Sequence, residues 1–178
     1  MSVFYLAARY SRREELCEYK AALEARGHLV PARWLLGEHQ VHGVEAARAV
    51  ECDGPVPADQ AVLFAEDDME DLLGADVLVA FSETPRHGAT RGGRHVELGV
   101  ALGLRRAGVG RPAIFVVGPL ENVFHALPEV DGRFDAWAGF LAALDAERVG
   151  VSSGAVLSGG WAGGISGRYP RTQEARSW

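Results

Sequence analysis

The sequence predicts an α/β protein, a three-layer sandwich around a five-stranded parallel sheet. Three observations predict it. Short apolar runs recur along the chain, and amphipathic stretches of helical period separate them. The runs are continuous rather than alternating, as in strands covered on both faces. Strands that alternate with helices pair in parallel through right-handed crossovers, which places helices on both sides of one sheet.

The first run, "VFYLAA" (Val3–Ala8), reads as a buried strand. Ser11 can cap the next helix, with Glu14 three residues on as in a capping box, and Gly27 ends it. Leu16, Tyr19, Ala22 and Leu23 recur there at helical spacing. "HLVPARW" (His28–Trp34) is expected as the second strand, and residues 35–56 carry no clear pattern. Pro57–Gly74 is an acidic amphipathic helix with Val62, Leu63, Met69, Leu72 and Leu73 as its apolar members. "ADVLVAF" (Ala75–Phe81) is the clearest strand, followed by a polar loop and a helix from about Arg94 to Ala107. "PAIFVVG" (Pro112–Gly118) is another strand, "ENVFHAL" a short helix, "GRF" a brief strand and "DAWAGFLAALDAER" the last helix. This order is flavodoxin/Rossmann-like. Residues 1–148 form one domain, and 149–178 are a Gly/Ser-rich tail or arm in which Trp161, Ile165 and Tyr169 offer anchors.

Composition narrows the function. The net charge of −6 has no basic stripe, so small-molecule chemistry is expected and nucleic-acid binding is not. No apolar run approaches the roughly 20 residues of a membrane span, and a cytoplasmic protein is expected. Cys17 and Cys52 make neither a disulfide framework nor a zinc site, and the histidines lack metal spacing, so neither metal nor cofactor is expected. The Walker pattern is absent, and no dinucleotide-binding glycine motif follows the first strand.

One stretch stands out. "TRGGRHVELGVALG" (Thr90–Gly103) sets Glu97 among small and aliphatic neighbours, behind two glycines and two arginines. In parallel sheets ligands gather beyond the carboxyl ends of strands, where this loop lies. Gly92 and Gly93 let backbone N–H groups approach an anion, and Arg91 and Arg94 supply forked donors. Glu97, placed in about the first helical turn, is expected in its ionised form, ready to attack an electrophilic carbon. The plain alternative is a surface acid paired with Arg94. Asp67 and Asp68 could supply an acid for a leaving group, or could belong to a solvated acidic face. Asp76 reads as a turn residue accepting backbone hydrogen bonds.

Together, the first strand and helix, "ADVLVAF" with an aspartate eight residues ahead of Asp76, "GGRHVELGVALG" and "ENVFHAL" resemble the nucleoside 2-deoxyribosyltransferase family and its nucleoside 5′-monophosphate N-glycosidase relatives. The resemblance covers about residues 3–147, apart from 35–56. It implies that Glu97 attacks C1′ of the sugar to form a glycosyl ester and that Asp68 handles the proton of the leaving base. It also implies that Asn122 reaches the sugar 5′ end in an adjoining subunit, so a homodimer or higher homo-oligomer follows. Arg91 stands where the transferases carry an acid. With Thr90 and Arg94 it points to a substrate bearing a 5′-phosphate. "HVE" is similar to the pyrimidine-nucleotide hydrolase branch. Phe4, Tyr5 and Trp34 are candidates to flank the base, although the first strand lacks the glycine that several relatives have. Two other functions fit the same residues: a non-catalytic nucleotide-sensing module, and a glycohydrolase of NAD-like dinucleotides.

Overall fold

The computed structural model describes residues 1–37, 58–84 and 92–146. Four strands, β1 (Phe4–Ala7), β2 (Val77–Phe81), β3 (Ala113–Val117) and β4 (Gly132–Phe134), form one parallel sheet in the order β1-β2-β3-β4. Among the described residues four helices accompany them: α1 (Arg13–Glu24), α2 (Ala58–Leu73), α3 (Gly93–Arg106) and α4 (Trp137–Asp145). The α/β class and parallel pairing are as expected, and no described helix is long and apolar enough to cross a membrane.

The expected fifth strand is reduced to one bridge. Leu29 pairs in parallel with Val3, accepting from Phe4 N at 2.8 Å and donating to Ser2 O at 2.9 Å. Pro31 then brings no N–H to continue the ladder, and the chain turns into a 3₁₀ segment, Arg33–Leu36. With that bridge occupying the place of a second strand, the order is that of a flavodoxin-like sheet. The topological switch point then lies between β1 and β2.

Strand periodicity sorts the side chains between two layers. Every residue of β1 and β2 is buried. On one side Phe4, Phe81 and Phe115 meet α1 and α4 through an aromatic cluster. Tyr19 stacks on Trp137 at 4.5 Å, Trp137 on Phe140 at 5.1 Å, and Phe4 meets Phe140 edge-on at 6.4 Å. Such pairs contribute about 0.5–1.5 kcal/mol each beyond their buried area. The opposite side, which includes Tyr5, packs against α3, which in turn contacts α2.

Local signals fared unevenly. Gly27 closes α1 as expected, with Gly27 N bonded to Glu24 O and His28 N to Leu23 O in a Schellman pattern. The capping box does not form. Residues Tyr10–Arg12 make a 3₁₀ turn, α1 starts at Arg13, and Arg12 makes two 2.7 Å hydrogen bonds to Glu15. On α2, Leu72 is fully buried, but Val62, Leu63 and Leu73 are more than half exposed, so the expected apolar face is only partly used. "ENVFHAL" provides a 3₁₀ turn, Val123–Ala126. Asp76 does accept a backbone bond, from Val3 N at 2.9 Å. Residues 38–57 and the tail from 147 lie outside the described residues.

Candidate active site

Glu97 lies in the second turn of α3. The helix begins at Gly93 after Gly92, whose φ of +73° suits only glycine comfortably. Four residues on, Glu97 is past the reach of the helix end and directed at the sheet. It meets Tyr5 of β1, whose hydroxyl donates to Glu97 Oε1 at 3.2 Å. Glu97 remains half-buried by surface while protein atoms crowd its carboxylate. Tyr5 itself is 1% exposed.

This placement reverses the expected protonation. Burial, reinforced by the nearby Asp68 charge, raises Glu97 from the ordinary value of 4.5 to about 8, and the Tyr5 hydrogen bond and Arg94 offset only part of the rise. The helix-start effect that was expected to favour the ion does not reach this far. Burial, together with Glu97 and Asp68, pushes the Tyr5 phenol up as well, so it stays a hydrogen-bond donor at all relevant pH. Asp68 thus acts on both residues across the α2–α3 contact. Near neutrality, burial and the Asp68 charge thus favour the protonated form of Glu97.

The plain alternative of a surface Glu97–Arg94 pair is not what forms. Arg94 is 7% exposed, and its Nη2 donates to Glu121 Oε1 at 2.5 Å. Glu121 Oε2 accepts from Glu83 N at 3.0 Å, and Glu83 pairs with Arg9 at 3.1 Å. Burial alone would raise Glu121, but the Glu83 N–H and Arg94 outweigh it and hold the carboxyl below its usual range. The forked donor expected to face a substrate anion is thus largely neutralised by a carboxylate of its own chain. Arg94 Nε and His125 Nδ1 are buried with no hydrogen-bond partner among the described residues. Burial lowers the pKa of His125, with Glu121 opposing the shift.

The remaining candidates divide. Gly92 caps α3, and no described atom lies within 4 Å of where a Cβ on Gly93 would sit. Asn122 caps its 3₁₀ turn by accepting from Phe124 N at 3.0 Å. Phe4 is fully buried on the opposite face of the sheet from Glu97, against His28 and Phe140, so a ligand touching Glu97 cannot also touch Phe4. Alternation along the strand separates these neighbours. Trp34, 6% exposed, is likewise core, its indole N–H bonded to Leu6 O at 3.0 Å. Thr90 and Arg91 lie outside the described residues. Glu121 was missed in the sequence. Its signal was its place just past a strand end, where Asn122 drew attention instead.

Among the concavities formed by described residues, two can be compared with the site. An open apolar groove of about 580 Å³ follows the outer side of α2 along Val62, Ala65, Met69 and Leu73. A cavity of about 10 Å³, near the least a water needs, lies at the carboxyl edge between Phe81, Arg94, Glu121 and His125. Neither is lined by Glu97 or Asp68. Among the described residues no three His, Cys, Asp or Glu side chains gather as a metal site. Compared with protein-family models, with curated proteins and with solved structures, the chain matches none.

Proposed function

We propose that the chain cleaves the N-glycosidic bond of a nucleoside or 2′-deoxynucleoside, or of its 5′-monophosphate, with Glu97 as nucleophile and Asp68 as acid. The observation that carries this reading is the placement of Glu97: half-buried, hydrogen-bonded by Tyr5 and within the field of Asp68. The proton held by Glu97 passes to Asp68 as substrate arrives, leaving one group ionised and the other able to donate. As the C1′–N bond breaks, its electron pair goes to the base nitrogen, which takes the proton from Asp68. A Glu97 oxygen bonds to C1′ and traps the electron-poor carbon as an ester. Water, giving its proton back to Asp68, or a second base then attacks C1′ and frees Glu97.

Exposed apolar residues around Asn122 support a homo-oligomer with sites near subunit boundaries. Leu120, Val123 and Phe124 are 61%, 79% and 56% exposed. Patches of this kind favour association with another protein surface.

The test is base release from a panel of nucleosides and monophosphates, with and without an added free base, by chromatography. Wild type releases base and Glu97→Ala does not, while circular dichroism shows both folded. Full activity in Glu97→Ala would end the proposal. A second reading, nucleotide binding without turnover, is favoured by the protonated state of Glu97 near neutral pH. Ligand-induced thermal stabilisation with no free base after long incubation would select it.

A further inference from the structure

We infer that Arg33 is a positioning residue for the proposed reaction, clamping the turn of α2 that presents Asp68 to Glu97. The inference rests on the reading above for its catalytic meaning, and on geometry for everything else. Residues 67–71 read Asp-Asp-Met-Glu-Asp, four carboxylates within five positions. Arg33 gathers the three that flank Asp68: Nη1 donates to Asp67 Oδ1 at 2.7 Å, Nη2 to Glu70 Oε2 at 2.8 Å and Nε to Asp71 Oδ1 at 3.0 Å. Its backbone N–H donates to Asp71 Oδ2 at 2.8 Å. Nη2 also reaches the Asp67 carbonyl oxygen at 2.8 Å. That carbonyl belongs to the peptide bond joining Asp67 to Asp68, so the grip acts on the backbone that aims Asp68.

The clamp is anchored at its other end. The 3₁₀ turn carrying Arg33 is fixed to β1 by the buried bond from Trp34 to Leu6 O, and to α1 by Arg13 Nε donating to Leu35 O at 2.8 Å. Leu6 follows Tyr5, the donor to Glu97. A closed chain of contacts therefore runs from β1 through Trp34 and Arg33 to α2, across to Glu97 and back to Tyr5. Multiple charge-assisted bonds from one planar guanidinium fix orientation in a way that a single surface pair does not. The guanidinium also balances the charge of Asp71, one of the groups that act on Tyr5. The groups acting on Glu97 are Asp68 from α2, Tyr5 from β1 and Arg94 from its own helix.

The test compares wild type, Arg33→Met and Arg33→Lys in two measurements. One is the titration of the Glu97 carboxyl by ¹³C NMR, which needs no activity; the other is kcat and KM for base release from a deoxynucleoside monophosphate across pH. Arg33→Met frees Asp68 to draw away from Glu97, so the Glu97 titration moves to lower pH and kcat falls on the order of 10- to 100-fold, with KM changing far less. Arg33→Lys, keeping the charge without the fork, restores only part of the titration shift and of kcat. A folded Arg33→Met with unchanged titration and kcat overturns the proposal, and if that variant does not fold, wild-type kcat in Arg33→Lys overturns it. A wild type that releases no base defeats the proposed function, while the Glu97 titration still decides on the clamp.

Discussion

Replacing Glu97 with Gln removes a group whose titration burial has displaced from 4.5 to about 8. Because the folded chain holds this proton more tightly than the unfolded chain, native Glu97 favours folding least at high pH. Its penalty is absent below about pH 4.5, grows as pH rises and is complete above about pH 8. At about 1.36 kcal/mol per unit, the wild type loses about 4 kcal/mol from this source between pH 5 and 9. Solvent reaching the half-buried side chain trims the figure to between ~2 and ~4 kcal/mol. Urea unfolding of wild type and Glu97→Gln at pH 5, 7 and 9 measures it. The variant gains on the wild type as pH rises, and Asp68→Asn, which removes the second cause but not burial, narrows the gap. Parallel stability curves for wild type and Glu97→Gln would show that Glu97 titrates as an ordinary surface acid, and the proposed passage of its proton to Asp68 would fall with it.

Two further outcomes test the surroundings. Glu121→Gln leaves the buried Arg94 guanidinium without its countercharge and destabilises the fold by about 3–5 kcal/mol, read by chemical denaturation; a change below 1 kcal/mol would show that Arg94 finds another partner. Gly118 has φ +116°, and a Cβ there would sit 2.6 Å from Ser82 O, so Gly118→Ala forces the ends of β2 and β3 apart. A loss of at least about 1–3 kcal/mol is expected in thermal or urea melts.

What could be read in the chain depended on whether the deciding contact was local. β2 and β3 were plain because strands covered on both faces are apolar without interruption, and α2 and α3 followed from their period. The second strand was not, since one proline in "HLVPARW" outweighs a favourable apolar pattern. Ser11 had capping chemistry, but the Arg12–Glu15 pair and a 3₁₀ turn took the helix start. The period of the sequence put Glu97 on the helix after β2 and Asp68 on the helix before it, and both residues lie there. The protonation of Glu97 was misjudged because the contact that helps bury its carboxyl, with Tyr5 of β1, is distant in sequence, and burial overrides the helix end. Arg94 and Glu121 lie 27 positions apart, and Arg33 and Asp67 lie 34 apart. No periodicity links such pairs; only the crossovers bring them together.

In β1, Phe4 and Tyr5 are adjacent in sequence and yet serve opposite halves of the molecule. Sliding that segment by a single position against β2 would send the phenol into the aromatic stack and a phenylalanine toward Glu97. Cohesion and the Tyr5–Glu97 hydrogen bond are thereby locked to the same alignment. A misregistered chain would lose both at once.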